Sequence, residues 1–172
     1  MKNAAFLPLL TAVLLLTACS KKADETPSST SDGTITWTYN GQNYTSTVYS
    51  GAVVDGTAIG ITGAVDKNST LHLSIEGIDA HGVGTYTLPR ISSPGSVSAG
   101  TLTVAATSPS KYYNTQNGPN ASNGTIVVTK YDKAKQQISG TFSFTAGLVS
   151  SNPTPTEFAT VANGTFDLHT FR

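Results

Sequence analysis

Cysteine is nearly missing from this sequence, with Cys19 the single one in 172 residues. No internal disulfide can form, and no Cys-x-x-Cys or Cys/His zinc spacing exists. Charge is scarce too, at 12% of residues, and ten basic side chains balance ten acidic ones. Nucleic-acid surfaces concentrate Lys and Arg, so this composition gives no electrostatic basis for a nucleic-acid partner. The apolar run from Ala4 to Leu16 covers only thirteen residues, with Pro8 and Thr11 inside it. A membrane-spanning helix needs about 20 apolar residues, which excludes a span there. Outside that run no window carries the apolar stripe of a helix.

What is present begins with an address. Met1-Lys2-Asn3 supplies a positive charge, the apolar run follows, and small residues come after it. That order describes a secretory signal. Leu16-Thr17-Ala18-Cys19 resembles the lipobox of bacterial lipoproteins. The resemblance implies a diacylglyceryl group on the Cys19 sulfur, cleavage after Ala18, and acylation of the freed amine by a fatty acid such as palmitate. Two or more acyl chains hold a protein stably on a membrane where one is marginal. Ser20 to Gly33 carries no apolar pattern and reads as a disordered tether. Fourteen flexible residues span about 20 Å on average. Ser20 beside Cys19 resembles the sorting habit of outer-membrane lipoproteins, and Lys21 to Glu25 resembles export signals of surface lipoproteins in the Bacteroidota. The expected organisation is a lipoprotein signal peptide at 1–18, a lipidated Cys and flexible tether at 19–33, and one β domain at 34–172. The expected place is the outer membrane, facing the periplasm or the cell surface.

From Thr34 onward the dominant period is two, the mark of half-buried strands. Ile35, Trp37 and Tyr39 alternate with Thr residues, and Trp37 is expected in the core. Asn40-Gly41 follows, a two-residue hairpin signal because both residues must accept positive φ. A return strand is expected from Gln42 to Ser50. Ala58 to Ala64 and Ser69 to Glu76 form a second pair, with Leu71, Leu73 and Ile75 on one face. Thr125 to Tyr131 and Gln137 to Ala146 form a third. A last strand, Thr165 to Phe171, is expected after the Asn163-Gly164 step, and shorter strands at Thr85–Leu88 and Thr101–Ala106. Gly-Thr recurs at strand starts, but Gly140 falls inside a strand, where a bulge or a close backbone approach is expected. The fold class is all-β: an antiparallel β-sandwich or small closed β-barrel of about eight to ten strands. A transmembrane barrel is disfavoured, since these strands are short and their second face is Thr and Ser.

Gly124-Thr125-Ile126-Val127-Val128-Thr129-Lys130-Tyr131-Asp132, Ile138-Ser139-Gly140-Thr141-Phe142-Ser143-Phe144 and Asn163-Gly164-Thr165-Phe166 together resemble a Bacteroidota lipoprotein family of unknown function. The resemblance implies an all-β domain on a lipidated tether, and brings no activity or catalytic residues with it.

Chemical motifs are few. His72, His81 and His169 lie in different segments without a second ligand at zinc spacing. There is no G-x-S-x-G elbow, although Ser and Thr make up about a quarter of the chain. Asp66-x-Asn68 lacks the remaining ligands and the Gly of a calcium loop. No catalytic residue, metal or cofactor is therefore expected. The segment Thr107 to Asn123 departs from the strand pattern and reads as a long polar loop. Tyr112 and Tyr113 within it are the candidate ligand contacts, because flat rings beside amides suit glycan or peptide recognition. The expected function is a non-enzymatic, lipid-anchored envelope module that binds a glycan or protein partner. The alternatives are a lipocalin-like barrel holding a small apolar ligand and a glycan-directed hydrolase.

Overall fold

The computed structural model describes residues 32–67, 69–91, 96–105, 109–151 and 154–172. Cys19, the signal peptide and most of the tether lie outside the described residues. Strand β1 (Gly33–Tyr39) turns at Asn40-Gly41, with φ of 50° and 74°, into β2 (Gln42–Thr45). The chain continues through β3 (Tyr49–Asp55), β4 (Ala58–Ala64) and β5 (Thr70–Glu76) to a single helical turn, α1 (Ile78–His81). There follow β6 (Gly84–Pro89), β7 (Ala99–Val104), β8 (Lys111–Asn114), a 3₁₀ turn (Thr115–Asn117), β9 (Ser122–Asp132), β10 (Gln137–Leu148) and β11 (Phe158–Leu168).

The eleven strands form one antiparallel sheet in the order β2-β1-β11-β10-β8-β7-β5-β4-β3, with β9 beside β10 and β6 beside β9. The long strand β10 makes this possible. Residues 137–144 pair with β9, Gly147 and Leu148 pair with β8, and the other edge runs along β11. The sheet folds over at β10 and buries its inner faces against each other. Alternation does the rest: Ile35, Ile59, Ile61, Leu71, Leu73, Ile75, Ile126, Ile138 and Val161 are fully buried, and Trp37 is 3% exposed. The all-β expectation holds; among the described residues there are eleven strands instead of eight to ten, and the sheet they form does not close.

One end of the gap is nevertheless stitched. Asp32 donates its N–H to Ser50 O at 2.9 Å, and Arg172 donates to Ala52 O at 3.1 Å. Phe171 makes a parallel bridge with Ala52. Both ends of the described domain therefore sit on the free edge of β3.

Three expectations need correction. The return strand 42–50 is two strands, because Ser46 to Val48 cross between layers. Ser46 exchanges bonds with Ile35 N–H (3.0 Å) and Ile35 O (2.9 Å), then Thr47 and Val48 donate to Ala64 O. Asn163-Gly164 opens no strand; it lies inside β11, which begins at Phe158. Asn163 sits at φ 50° as a bulge, and the register slips there against both β1 and β10. The segment 107–123 holds β8, the 3₁₀ turn and the start of β9. A Lys-Tyr-Tyr-Asn strand has no pattern of its own and is made by partners distant in sequence, β7 and β10. Gly140 meets its expectation on both counts. The register shifts at Ser139/Gly140 against β9, and a Cβ at Gly140 would lie 2.2 Å from Val127 O.

Candidate functional site

The unstitched end of the sheet carries a cleft of about 310 Å³. Its first wall grows from the β1–β2 hairpin. Alternation sends Trp37 and Tyr39 to the same face of β1, and the two-residue turn puts Tyr44 opposite Trp37. The two rings stack, with centroids 5.6 Å apart and planes 12° apart. Leu102, Thr103, Val104 and Ala105 of β7 and its end form the facing wall. Asp66 and Ser69, from the β4–β5 turn, complete the rim. The Asp66 carboxylate accepts the Ser69 N–H at 2.6 Å, which sets the turn. Asp66 is the one charged side chain among the described residues of the lining.

Behind this cleft lies a polar knot. Tyr113 pairs with Leu102 across β7–β8 and is buried at 1% exposure. Its hydroxyl donates to Glu157 Oε1 at 2.5 Å, and Lys111 Nζ reaches both Glu157 oxygens at 2.7 and 2.9 Å. Lys111 and then Tyr113 hold the Glu157 carboxyl below its ordinary value, while burial first and Glu157 second push the Tyr113 hydroxyl up. Tyr112 points the other way and is 42% exposed, next to Val149, whose N–H donates to Tyr112 O. The two candidate contact residues thus lie on opposite faces of β8 and present no joint platform.

The histidines are dispersed. His72 faces outward on β5, its Nδ1 2.8 Å from Thr62 Oγ1, and burial lowers its pKa. It lines a groove of about 570 Å³ over β3–β5, whose floor is Ala58 and Gly60 and whose walls include Asp55, Ser74 and Glu76. His81 is exposed on α1, and the exposed His169 donates its N–H to Asp32 O. Asp79 ties α1 to the β9–β10 hairpin by accepting from the Tyr131 hydroxyl at 2.5 Å and pairing with Lys133. Burial and then Asp79 push Tyr131 up to about 12, and its ring stacks on Phe171 at 6.0 Å. No group of three His, Cys, Asp or Glu among the described residues is placed to hold a metal.

The cleft is the feature that sequence reasoning missed. Half of it was within reach: a two-residue turn at Asn40-Gly41 sets Trp37 against Tyr44 by register alone. The facing wall was not, since Leu102 and Val104 arrive through the fold of the whole sheet.

A family model, described as a domain of unknown function (DUF6252), matches residues 31–167. Comparison with curated proteins and with solved structures found no match.

Proposed function

The chain belongs to the DUF6252 family, and from that premise we propose a lipid-anchored protein of the bacterial outer membrane whose β domain binds a partner without catalysing a reaction. The observation that carries this reading is the aromatic cleft at the hairpin end of β1, the opposite end of that strand from Asp32. Ligand sites are concave, mainly apolar and furnished with a few polar groups, and mouths of barrel-like sheets are frequent places for them. Six residue steps of β1 separate Gly33 from Tyr39, about 20 Å of strand. An anchor at Cys19 would attach the domain through the end that carries Asp32 and leave the cleft free to meet partners away from the bilayer. Envelope glycans, envelope proteins and small solutes are the partners within reach.

Two measurements test the reading. Cys19→Ala should abolish fatty-acid labelling and move the chain to the soluble fraction, and unchanged membrane retention refutes the anchor. A photo-crosslinking side chain replacing Tyr44 should capture a partner that the same side chain at exposed Thr141, on the outer face of β10, does not. Equal capture at both positions refutes the site.

A hydrolase is the second reading, and one observation favours it. Asp55 and Glu76 flank Ala58 in register across β3–β4–β5, so their Cα atoms lie about 10 Å apart in the groove that also holds His72. Glycosidases use two carboxyl groups in unlike surroundings. Here Asp55 is exposed and Glu76 half-buried on an open outer face, which is why binding is preferred. Glycan cleavage abolished by Glu76→Gln would reverse that preference.

A further inference from the structure

We infer that an extended peptide segment of a partner protein adds to the free edge of β2 and places one large apolar side chain in the cleft. This rests on the binding reading above and names the occupant. β2 is the terminal strand of the sheet, and among the described residues no strand other than β1 pairs with it. The two-residue turn makes Tyr39 and Gln42 a hydrogen-bonded pair, so by alternation Trp37 and Tyr44 are the next. Ser46 continues the series, donating its N–H to Ile35 O at 2.9 Å. Asn43 and Thr45 therefore turn their N–H and C=O groups away from β1. Those two sets stand about 6.8 Å apart, two residues of strand, which is the repeat of an extended polypeptide. A lipid or a sugar has no matching row of donors and acceptors. Elsewhere the edges are guarded. Asp32 and Arg172 bond to the edge of β3, and β6 ends in Pro89, which has no N–H to offer. β2 carries neither charge nor Pro. Between Asn43 and Thr45, Tyr44 faces the cleft. A strand laid antiparallel along β2, the more stable pairing, sets the side chain opposite Tyr44 on the same face, in front of Leu102 and Val104. At about 310 Å³ the cleft is near the lower bound of ligand sites, roughly 300–1,000 Å³, and suits a side chain more than a chain of sugars. Two nearer occupants fail. The tether, Ser20 to Ser31, holds no large apolar side chain to fill the cleft. A second copy brings only the four residues of its own β2, far short of the about 1,200 Å² that stable protein pairs bury. Strand addition at a sheet edge divides the work in the same way, with backbone bonds giving affinity and a pocket giving specificity.

Trp37 is the only tryptophan in the sequence, so intrinsic fluorescence reports on this cleft alone. The experiment titrates the full chain, held in a non-ionic detergent, with capped nonapeptides of Ser and Thr around a central Phe, Leu, Lys or Ser. The Phe and Leu peptides should change Trp37 emission saturably, and the Lys and Ser peptides should bind on the order of tenfold more weakly. Methyl groups on the amide nitrogens of the two residues flanking Phe remove the donors aimed at Asn43 and Thr45. They should weaken binding on the order of tenfold. One methyl on the Phe nitrogen, which faces away from β2, should leave binding within about threefold. Thr45→Pro deletes an outward N–H and no bond to β1, and should weaken the Phe peptide on the order of tenfold without altering the far-ultraviolet circular dichroism. Equal binding of all four peptides, or flanking methyl groups that cost no more than the central one, overturns the inference while leaving the cleft a binding site. A dimer in sedimentation that Thr45→Pro dissolves gives the edge to a second copy and also overturns it. If no peptide moves Trp37 emission the inference falls, and if crosslinking from Tyr44 is empty as well, the binding reading falls with it.

Discussion

Replacing Gly140 by alanine adds one methyl group where the fold leaves no space. A Cβ at that position would stand 2.2 Å from Val127 O, a backbone atom of β9, and 2.5 Å from Cζ of Phe166. Non-bonded carbon and oxygen settle about 3.3 Å apart or more, so β9 would have to retreat by about 1 Å. Phe166 is buried at the centre of the core and cannot turn aside without opening it. Overpacking costs about 1–3 kcal/mol, and an obstacle made of backbone and a buried ring belongs at the upper end, about 3 kcal/mol. For a domain of this size each 1 kcal/mol moves Tm by roughly 2–4 °C, so a fall of about 6–12 °C is expected. Gly84 is the control. It opens the same Gly-Thr-aromatic phrase, Gly84-Thr85-Tyr86 against Gly140-Thr141-Phe142, but nothing lies within 4 Å of its Cβ position. Gly84→Ala should stay within about 0.5 kcal/mol of the parent. Urea unfolding followed by Trp37 emission, with thermal unfolding by circular dichroism, measures both. A Gly140→Ala protein within about 0.5 kcal/mol of the parent, or a Gly84→Ala protein equally damaged, would refute the reasoning.

The other expectations concern the polar ties, the bulge and the paired tyrosines. Asp79 and Glu157 have carboxyls lowered from 3.8 and 4.5, chiefly by hydrogen bonds from Lys133 and Lys111. A lowered folded pKa adds stability that is complete above the unfolded value and disappears as pH falls through the folded one. The urea midpoint should therefore decline on acidification, first as the pH falls below 6.5, where the unfolded chain protonates His72 before the folded one does, and again below about pH 4.5, shallowly because both carboxylates are reached by solvent; Glu157→Gln should flatten part of that second decline. A midpoint that rises on acidification would contradict this. Asn163→Val should cost about 1–2 kcal/mol in urea unfolding, because a β-branched side chain disfavours the φ of 50° that Asn accepts. No loss would mean that the bulge is not needed. Tyr113→Ala should destabilise the fold by about 3–5 kcal/mol, as a buried ring does, while exposed Tyr112→Ala changes stability by less than about 0.5 kcal/mol. Equal losses would contradict their opposite orientation on β8.

Much of the fold was legible because its strands announce themselves locally. Leu71, Leu73 and Ile75 alternate with polar residues, and all three are fully buried. Asn40-Gly41 is the turn its residue types demand, and β9–β10 turn at Lys133 to Gln136 where charged residues interrupt the pattern. The Asn163-Gly164 step misled because the same dipeptide serves a hairpin or a bulge. Only the neighbours on both sides, β1 and β10, decide between them. Lys111 to Asn114 carries no strand pattern within its four residues, because the partners that make it a strand lie elsewhere in the chain.

The sequence by itself determined the all-β class, the alternating core, the hairpin that sets Trp37 against Tyr44, and the close approach at Gly140. Each follows from steric preferences or side-chain periods that act over a few residues. Tertiary structure decided that the sheet folds over at β10 yet stays open, that Tyr112 and Tyr113 part to opposite faces, and that β7 comes to face the β1–β2 hairpin across a cleft. Those features depend on hydrogen bonds and packing between segments far apart in the chain, and such pairings leave no periodic trace in either segment alone.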